Sequence, residues 1–516
     1  MTRIPDGRAL YDWFGTSAAR TPDAIALDTV AQRLTYAELA ALVERVAAGL
    51  ARQETATVGL CTSGTLGGYI GYLAVLRLGR TVVPLNPRSP TARNRSVLER
   101  ARAGLVLADG PSADSLRAAD GEEPWPTPVL LLEELLQGPQ ATAPAPDRAD
   151  RPAYILFTSG STGEPKGVPI TDANVAAFLD CAIERYELGP DSRVSQTFSF
   201  TFDPSVLDLF ATWGAGGTVV VPEKRELLIP VTYARRRALT HWFSVPSVIT
   251  LAQRYGALTP AGLPDLRWSV FMGEQLTLDQ ARVWAAVAPR SAIANAFGPT
   301  ELTVLCADYR LPADPRDWPD TSNGTVPIGE VFPHLEAVLL DGDGRPADDG
   351  ELCVRGAQRF GGYLVAEHDT GRFLSPAGAP EKPAAGRVPA GHWYRAGDRV
   401  SRERGVLVHQ GRLDRQVKVR GQRIELGEVE AALRRCPGVR EAVVLDVPRS
   451  GEGIHLRAVL TGDASRDGDL RAEVARLVPD YAVPESFVWL PQLPLNLSGK
   501  VDHQALRHAV VGEGED

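Results

Sequence analysis

Hydrophobic and polar positions alternate between two periods along the first 137 residues. Leu34-Thr-Tyr-Ala-Glu38-Leu39 opens a run with helical spacing that predicts a helix to about Arg52. Thr35 and Glu38 form a capping box at its start, and Leu34 with Leu39 supplies the hydrophobic staple. Short apolar runs predict buried strands at 57–61, 81–85 and 104–107, separated by helices near 66–78 and 91–102. Residues 137–152, rich in Pro, Ala and Asp, have no period and predict a surface connection. The alternation then resumes, with strands at 153–157, 193–198, 218–221, 241–245, 268–272 and 292–297 and helices at 173–186, 205–213 and 278–287. Strands alternating with helices imply parallel βαβ units and a doubly wound sheet.

The period changes after residue 325. Helical spacing disappears over 325–410, where short strands such as 337–340 and 351–355 are punctuated by Asp-Gly and Gly-Arg turns. Beyond Arg412 a compact segment combines helices at 427–435 and 470–478 with strands at 442–447 and 455–460. The expected architecture is therefore α/β. Residues 1–411 form a large N-terminal domain of doubly wound α/β subdomains plus a small β subdomain, and 412–516 form a small α+β C-terminal domain.

Composition narrows the function. A length of 516 residues calls for more than one core, and 44% hydrophobic with 23% charged residues is ordinary for a soluble globular chain. A net charge of −9, with no basic run, argues against a nucleic-acid surface. No segment approaches 18 uninterrupted apolar residues and the N-terminus has no apolar core of a signal peptide, so no membrane association and a cytoplasmic location are expected. Cys61, Cys181, Cys306, Cys353 and Cys436 are scattered without metal-binding spacing and read as small buried hydrophobes.

One stretch carries conspicuous chemistry. Strand 153–157 runs into Thr158-Ser159-Gly160-Ser161-Thr162-Gly163-Glu-Pro-Lys166-Gly. Glycine costs backbone entropy and hydroxyls bury poorly, so such a run needs a purpose. Its backbone N–H groups can form an anion nest, its hydroxyls add donors, and Lys166 adds a point charge; that is chemistry for a polyphosphate. It is not a Walker A loop, whose Gly-Lys-Ser/Thr is absent. Asn295-Ala296-Phe297-Gly298-Pro-Thr300-Glu301 ends a strand with a turn, where open α/β sheets place ligands. Glu301 there fits either a Mg²⁺ ligand or a helix-capping acid. Asp398, in Tyr-Arg-Ala-Gly-Asp, fits either an acceptor for ribose hydroxyls or a satisfied turn acid.

The glycine-rich stretch resembles the phosphate loop of the adenylate-forming superfamily, which holds acyl-CoA synthetases, luciferases and adenylation domains of nonribosomal peptide synthetases. The resemblance extends over nearly the whole chain. It implies ATP and Mg²⁺, with Gly273 and Glu274 lining the adenine pocket beside Ala296 and Gly298, Phe297 stacking on adenine, and Thr300 at the α-phosphate. It further implies Asp398 on the ribose supported by Arg412, a hinge at Asp414 for a mobile C-terminal domain, Gly421 guiding a phosphopantetheine thiol, and Lys500 of Asn-Leu-Ser-Gly-Lys as the catalytic lysine.

The activated acid turns on Asp203, in Phe-Thr-Phe-Asp203-Pro204-Ser-Val-Leu207. By itself Asp203 fits a helix N-cap. The resemblance implies instead an aspartate that binds a substrate ammonium, and a buried carboxylate without a cation is costly. The positions that the resemblance assigns to the side-chain pocket, Pro204, Leu207, Phe243, Val270, Met272, Ala296, Val304 and Leu305, are all apolar. The expectation is a small or medium apolar amino acid, with proline and alanine leading and a β-amino acid open. It would be activated as an aminoacyl-AMP and passed to a separate carrier protein in trans. An acyl-CoA ligase acting on a non-amino acid is the alternative.

Overall fold

The computed structural model describes residues 8–118, 125, 127–139, 142–144, 146, 151–158, 165–377, 387–419, 421–449, 453–463, 467–494, 501 and 503–510. Two compact units make up the chain: residues 1–87, 98–157 and 167–413 form the larger, and 88–97, 158–166 and 414–516 the smaller. The fold is mixed α/β, with a large N-terminal and a small C-terminal domain.

Parallel strands dominate where the sequence alternates. Strand Thr57–Cys61 lies between Thr81–Leu85 and Leu105–Ala108 in a six-stranded sheet that ends with Pro152–Thr158 and Lys166–Thr171. The helix Tyr36–Leu50 starts with the expected box: Thr35 accepts from the Glu38 N–H and Glu38 accepts from the Thr35 N–H. A nine-stranded sheet contains the row that matters for the site. Its strands His241–Ser244, Trp268–Met272 and Ala292–Phe297 are parallel neighbours, and Phe243 is level with Val270 while Met272 is level with Ala296. Strand Ala307–Arg310 then returns antiparallel to Ala292–Phe297, so residues 298–306 must reverse the chain within a short span. The β subdomain is a five-stranded antiparallel sheet in which Trp393–Glu403 pairs with Asp349–Gly356, Phe373–Leu374 and Val406–Arg412.

In the smaller unit, strands Val439–Arg449 and Gly453–Gly462 pair antiparallel and Ser486–Trp489 adds in parallel. Helix Leu426–Arg434 packs Val429 and Leu433 into a core with Val444, Leu460 and Val474. Among the described residues, no helix is long and apolar enough to cross a membrane.

Three elements depart from expectation. The strand predicted over 193–198 stops at Ser195. The carboxylate of Asp208 takes the N–H groups of Thr197 (3.1 Å) and Phe198 (3.4 Å), which removes both from the ladder. The helix predicted over 205–213 is three pieces: an α-turn Pro204–Val206, a π-helical turn Leu207–Ala211 and an α-turn Thr212–Ala215. Asp398 lies within a strand and not in a turn, because the ladder runs on through Gly397, despite its positive φ of 73°, to pair Asp398 with Arg412.

Candidate active site

The end of the site expected to take the acid begins where strand 193–195 breaks off. Asp203 occupies the N-cap position of Pro204–Val206, yet its side chain makes no capping hydrogen bond and is only 4% exposed. Pro204 at the first helical position fixes the backbone entry. The π-turn that follows inserts an extra residue per turn, a local irregularity common at functional sites. Leu207 projects from it into the cluster that also holds Phe243, Val270, Met272, Ala296, Val304 and Leu305. Leu207, Phe243, Val270, Met272, Ala296, Val304 and Leu305 thus all belong to the large hydrophobic core of the N-terminal domain, and Pro204 is buried.

Asp208, on the same π-turn, is fully buried and was not singled out from sequence. Burial drives its carboxyl well above the usual range, only partly opposed by the two backbone donors. It acts as a structural acceptor that shapes the break after Ser195.

The turn after Ala292–Phe297 carries Glu301. Thr300, half-buried, and Glu301, fully buried, lie in a single 3₁₀ turn. The Glu301 carboxylate accepts from the Tyr363 hydroxyl at 2.6 Å, and that hydroxyl sits 3.2 Å from the hydroxyl of Tyr394. Gly298 is required here, since a Cβ on it would lie 2.5 Å from the Val304 carbonyl oxygen and 2.6 Å from the Leu305 Cα. Thr303 and Val304, both β-branched, adopt positive φ of 55° and 71°. Such backbone costs on the order of 1–3 kcal/mol per residue and persists only when the surroundings enforce it.

The expected ribose end lies on the β subdomain. Asp398, nearly buried, receives Arg412 Nη1 at 2.8 Å on one oxygen and lies 2.9 Å from His409 Nε2 on the other. Arg412 also donates to the Ala396 carbonyl. His409 is within 3.1 Å of Gln275 Nε2, and its ring centre lies 5.4 Å from that of Phe297. Gly273, with φ of 87°, lies at the end of Trp268–Met272, and Glu274 accepts from the Ser247 N–H at 3.0 Å. Phe297, Asp398 and Gln275 therefore meet around His409, which sequence reasoning missed, and Arg412 holds the other oxygen of Asp398. A lone histidine in a strand gives no signal until its neighbours across the sheet are known.

Of the remaining predicted positions, Thr158 ends strand Pro152–Thr158 and is half-buried, and Lys166 opens the next strand and is buried. Ser159, Gly160, Ser161, Thr162, Gly163 and Lys500 lie outside the described residues. In the smaller unit, Asp414 accepts from the Gln416 N–H at 3.2 Å, and Gly421 has φ of 78°. Four of the five cysteines are buried, none forms a disulfide, and burial pushes the Cys61 and Cys353 thiols up to about 12, as inert structural residues require.

Comparison with known proteins decides the family. The AMP-binding enzyme model matches residues 14–364, and the AMP-binding enzyme C-terminal domain model matches 428–500. The chain belongs to the AMP-binding enzyme family. It is an adenylation domain of the adenylate-forming superfamily and hence of the AMP-forming ligase class. It is 35% identical to phosphinothricin tripeptide synthetase PhsC of Streptomyces viridochromogenes over 98% of this chain and 46% of that protein. The chain spans less than half the length of the curated synthetases it matches first. Among solved structures, it resembles the Vibrio cholerae adenylation domain AlmE in complex with glycyl-adenosine-5'-phosphate, with a TM-score of 0.81, 26% identity and 99% coverage of both chains. It also resembles holo-PA1221, a nonribosomal peptide synthetase protein containing adenylation and PCP domains, with a TM-score of 0.80 and 25% identity over 98% of this chain and 85% of that one.

Proposed function

We propose that this adenylation domain activates a small or medium apolar amino acid with ATP and transfers it to the phosphopantetheine thiol of a carrier protein. The observation that carries the reading is Asp203, a carboxylate only 4% exposed at the start of Pro204–Val206, together with side-chain pocket positions that are all apolar. A substrate ammonium offsets the cost of burying that charge, and the apolar lining disfavours a charged side chain. The bulk of Phe243 and Met272 favours a short substrate, with proline, alanine or a β-amino acid as candidates. The glycyl adenylate in the Vibrio structure is of the product class proposed here.

In the first step a carboxylate oxygen of the amino acid attacks the α-phosphorus of ATP. A new O–P bond forms, the bond to the β-phosphate oxygen breaks, and pyrophosphate leaves. The glycine-rich loop with Lys166 holds the leaving phosphates, Thr300 contacts the α-phosphate, and Lys500 stabilises the charge that develops there. Asp398, Arg412 and His409 fix the ribose end, and Phe297 offers its face to the adenine. Glu301 fits a Mg²⁺ site, since a fully buried acid on the turn after the strand Ala292–Phe297 suits a cation there. Mg²⁺ bound at Glu301 would neutralise phosphate charge, and Tyr363 fixes the carboxylate that holds it. In the second step the smaller unit swings about Asp414, Lys500 withdraws, and Gly421 guides the thiol. The sulfur bonds to the acyl carbon, the bond from that carbon to the oxygen bridging it to phosphorus breaks, AMP leaves carrying that bridging oxygen, and the thiol proton passes to solvent.

ATP–pyrophosphate exchange with paired amino acids and their des-amino counterparts tests this reading. Exchange supported by apolar amino acids is expected. Exchange supported only by the des-amino acids would favour an acyl-CoA ligase and reject it.

A further inference from the structure

The turn that presents Val304 and Leu305 does not hold itself. Leu305 N–H closes on the Thr303 carbonyl at 3.0 Å, a three-residue turn centred on Val304 at positive φ, directly after Thr303 at positive φ. Neither residue is a glycine, and β-branched side chains resist this conformation. Something outside the turn must enforce it. The enforcing group is Gln358, fully buried and far away in sequence. Its side-chain nitrogen donates to the carbonyls of Leu302 (2.6 Å) and Thr303 (3.0 Å), and to that of Leu305. Its own backbone carbonyl accepts from the Thr303 hydroxyl at 2.6 Å.

Gln358 is itself fixed from two sides. His334 Nε2 lies 2.8 Å from Gln358 Oε1. An amide oxygen only accepts, so the hydrogen bond puts the proton on Nε2 of His334. Asn174 Nδ2 donates to the carbonyls of Ala357 (2.8 Å) and Arg359 (2.9 Å), which straddle Gln358. The next residue, Phe360, donates its N–H to the Glu301 carbonyl at 2.9 Å. The clamp thus grips both the Glu301 turn and the pocket turn, while no residue of it touches the ribose group of Asp398, Arg412 and His409 in any of these contacts.

We infer that Gln358 is a positioning residue for substrate choice: its amide holds residues 302–305 in a strained turn and so sets where Val304 and Leu305 limit the acid pocket. The inference rests on the proposed placement of those two side chains at the pocket. It concerns which acid is accepted, whatever acid that is. Relaxation of the turn to ordinary φ would rotate Val304 and Leu305 away from the cluster they share with Phe243 and Met272.

Gln358→Glu keeps the shape and removes both N–H donors, leaving a carboxylate against three carbonyls. His334→Asn loosens the clamp from one contact further out, on a half-buried residue that the fold tolerates more readily. Pyrophosphate exchange across a panel of amino acids and simple carboxylates reads the result, with the KM for ATP measured beside it. For Gln358→Glu the ratio of kcat/KM between the best acid and the next is expected to fall at least tenfold, a larger factor than the change in the ATP KM, which the grip on the Glu301 turn also moves. His334→Asn should move the ratio the same way by a smaller factor. The ratio should partly recover for Gln358→Glu as the pH is lowered, because a protonated carboxyl donates one hydrogen bond again. A uniform loss over all acids, or an unchanged ratio in both variants, would overturn the inference. If the parent enzyme accepts only simple carboxylates, the amino-acid reading fails, and the same ratio among carboxylates still tests the clamp.

Discussion

The two ends of the site are built in opposite ways. At the proposed ribose end, Asp398 and Arg412 face each other across an antiparallel ladder and pair directly. At the proposed acid end, regular parallel strands carry Phe243, Val270, Met272 and Ala296, but the rest is irregular: a strand cut short by Asp208, a π-turn at Leu207–Ala211, and two β-branched residues at positive φ. The difference separates what is generic from what is particular. Every substrate acid meets the same nucleotide, so its site can rest on standard geometry. On the proposed reading the pocket must fit one class of acid, and part of its shape comes from backbone that only tertiary contacts can sustain.

That contrast can be broken at either end. The largest effect is expected for Asp398→Asn, which leaves Arg412 facing a neutral amide. Loss of one partner of a nearly buried charge pair costs about 3 kcal/mol. The ATP KM should rise roughly 100-fold for every acid alike, by the equivalence of 1.4 kcal/mol to a factor of ten. A change in acid preference in this variant would blur the two ends.

Next comes His241, on the strand that delivers Phe243 to the acid end. Its ring is fully buried, bonded between the Thr240 hydroxyl and the Tyr186 carbonyl, and burial pulls its pKa from 6.5 down to about 4. Because the folded value is depressed, the neutral ring's contribution is fully present above pH 6.5 and is lost as pH falls towards 4. About 3 kcal/mol should drain away by pH 4, on the scale of 1.4 kcal/mol per pKa unit. Thermal melting against pH should show this slope, and His241→Gln should flatten it. A slope identical in both proteins would remove His241 from the account.

The smallest effect is expected for Tyr363→Phe, which deletes the donor on Glu301. Such a partner of a metal-binding acid is worth about tenfold. The Mg²⁺ concentration for half-maximal exchange should rise by that factor with the acid ratio unchanged. Equal Mg²⁺ dependence in both proteins would show that the hydroxyl does not orient the carboxylate.

Legibility in the sequence follows the same division. The parallel strands were readable because each is a short, uncharged apolar run, and the box at Thr35 and Glu38 because capping is local. The Asp398–Arg412 pair came through a motif, although its place in a strand did not. The irregular backbone was unreadable for a physical reason. Strand 193–195 ends through a carboxylate that returns from residue 208, and the turn at 303–304 is held by a glutamine more than fifty residues later. Neither contact leaves a period or a local composition signal. His409 and Gln358 were missed on the same ground.

The central claim is that the Asp203 carboxylate meets the ammonium of the substrate. Calorimetric titration of the parent and of Asp203→Asn with a non-hydrolysable aminoacyl-adenylate analogue and its des-amino counterpart tests it in one cycle. The account predicts that the parent favours the amino compound by about 100-fold, the scale of a buried charge pair, and that Asp203→Asn binds the two within a few-fold of each other. An equal preference for the amino compound in both proteins would contradict it.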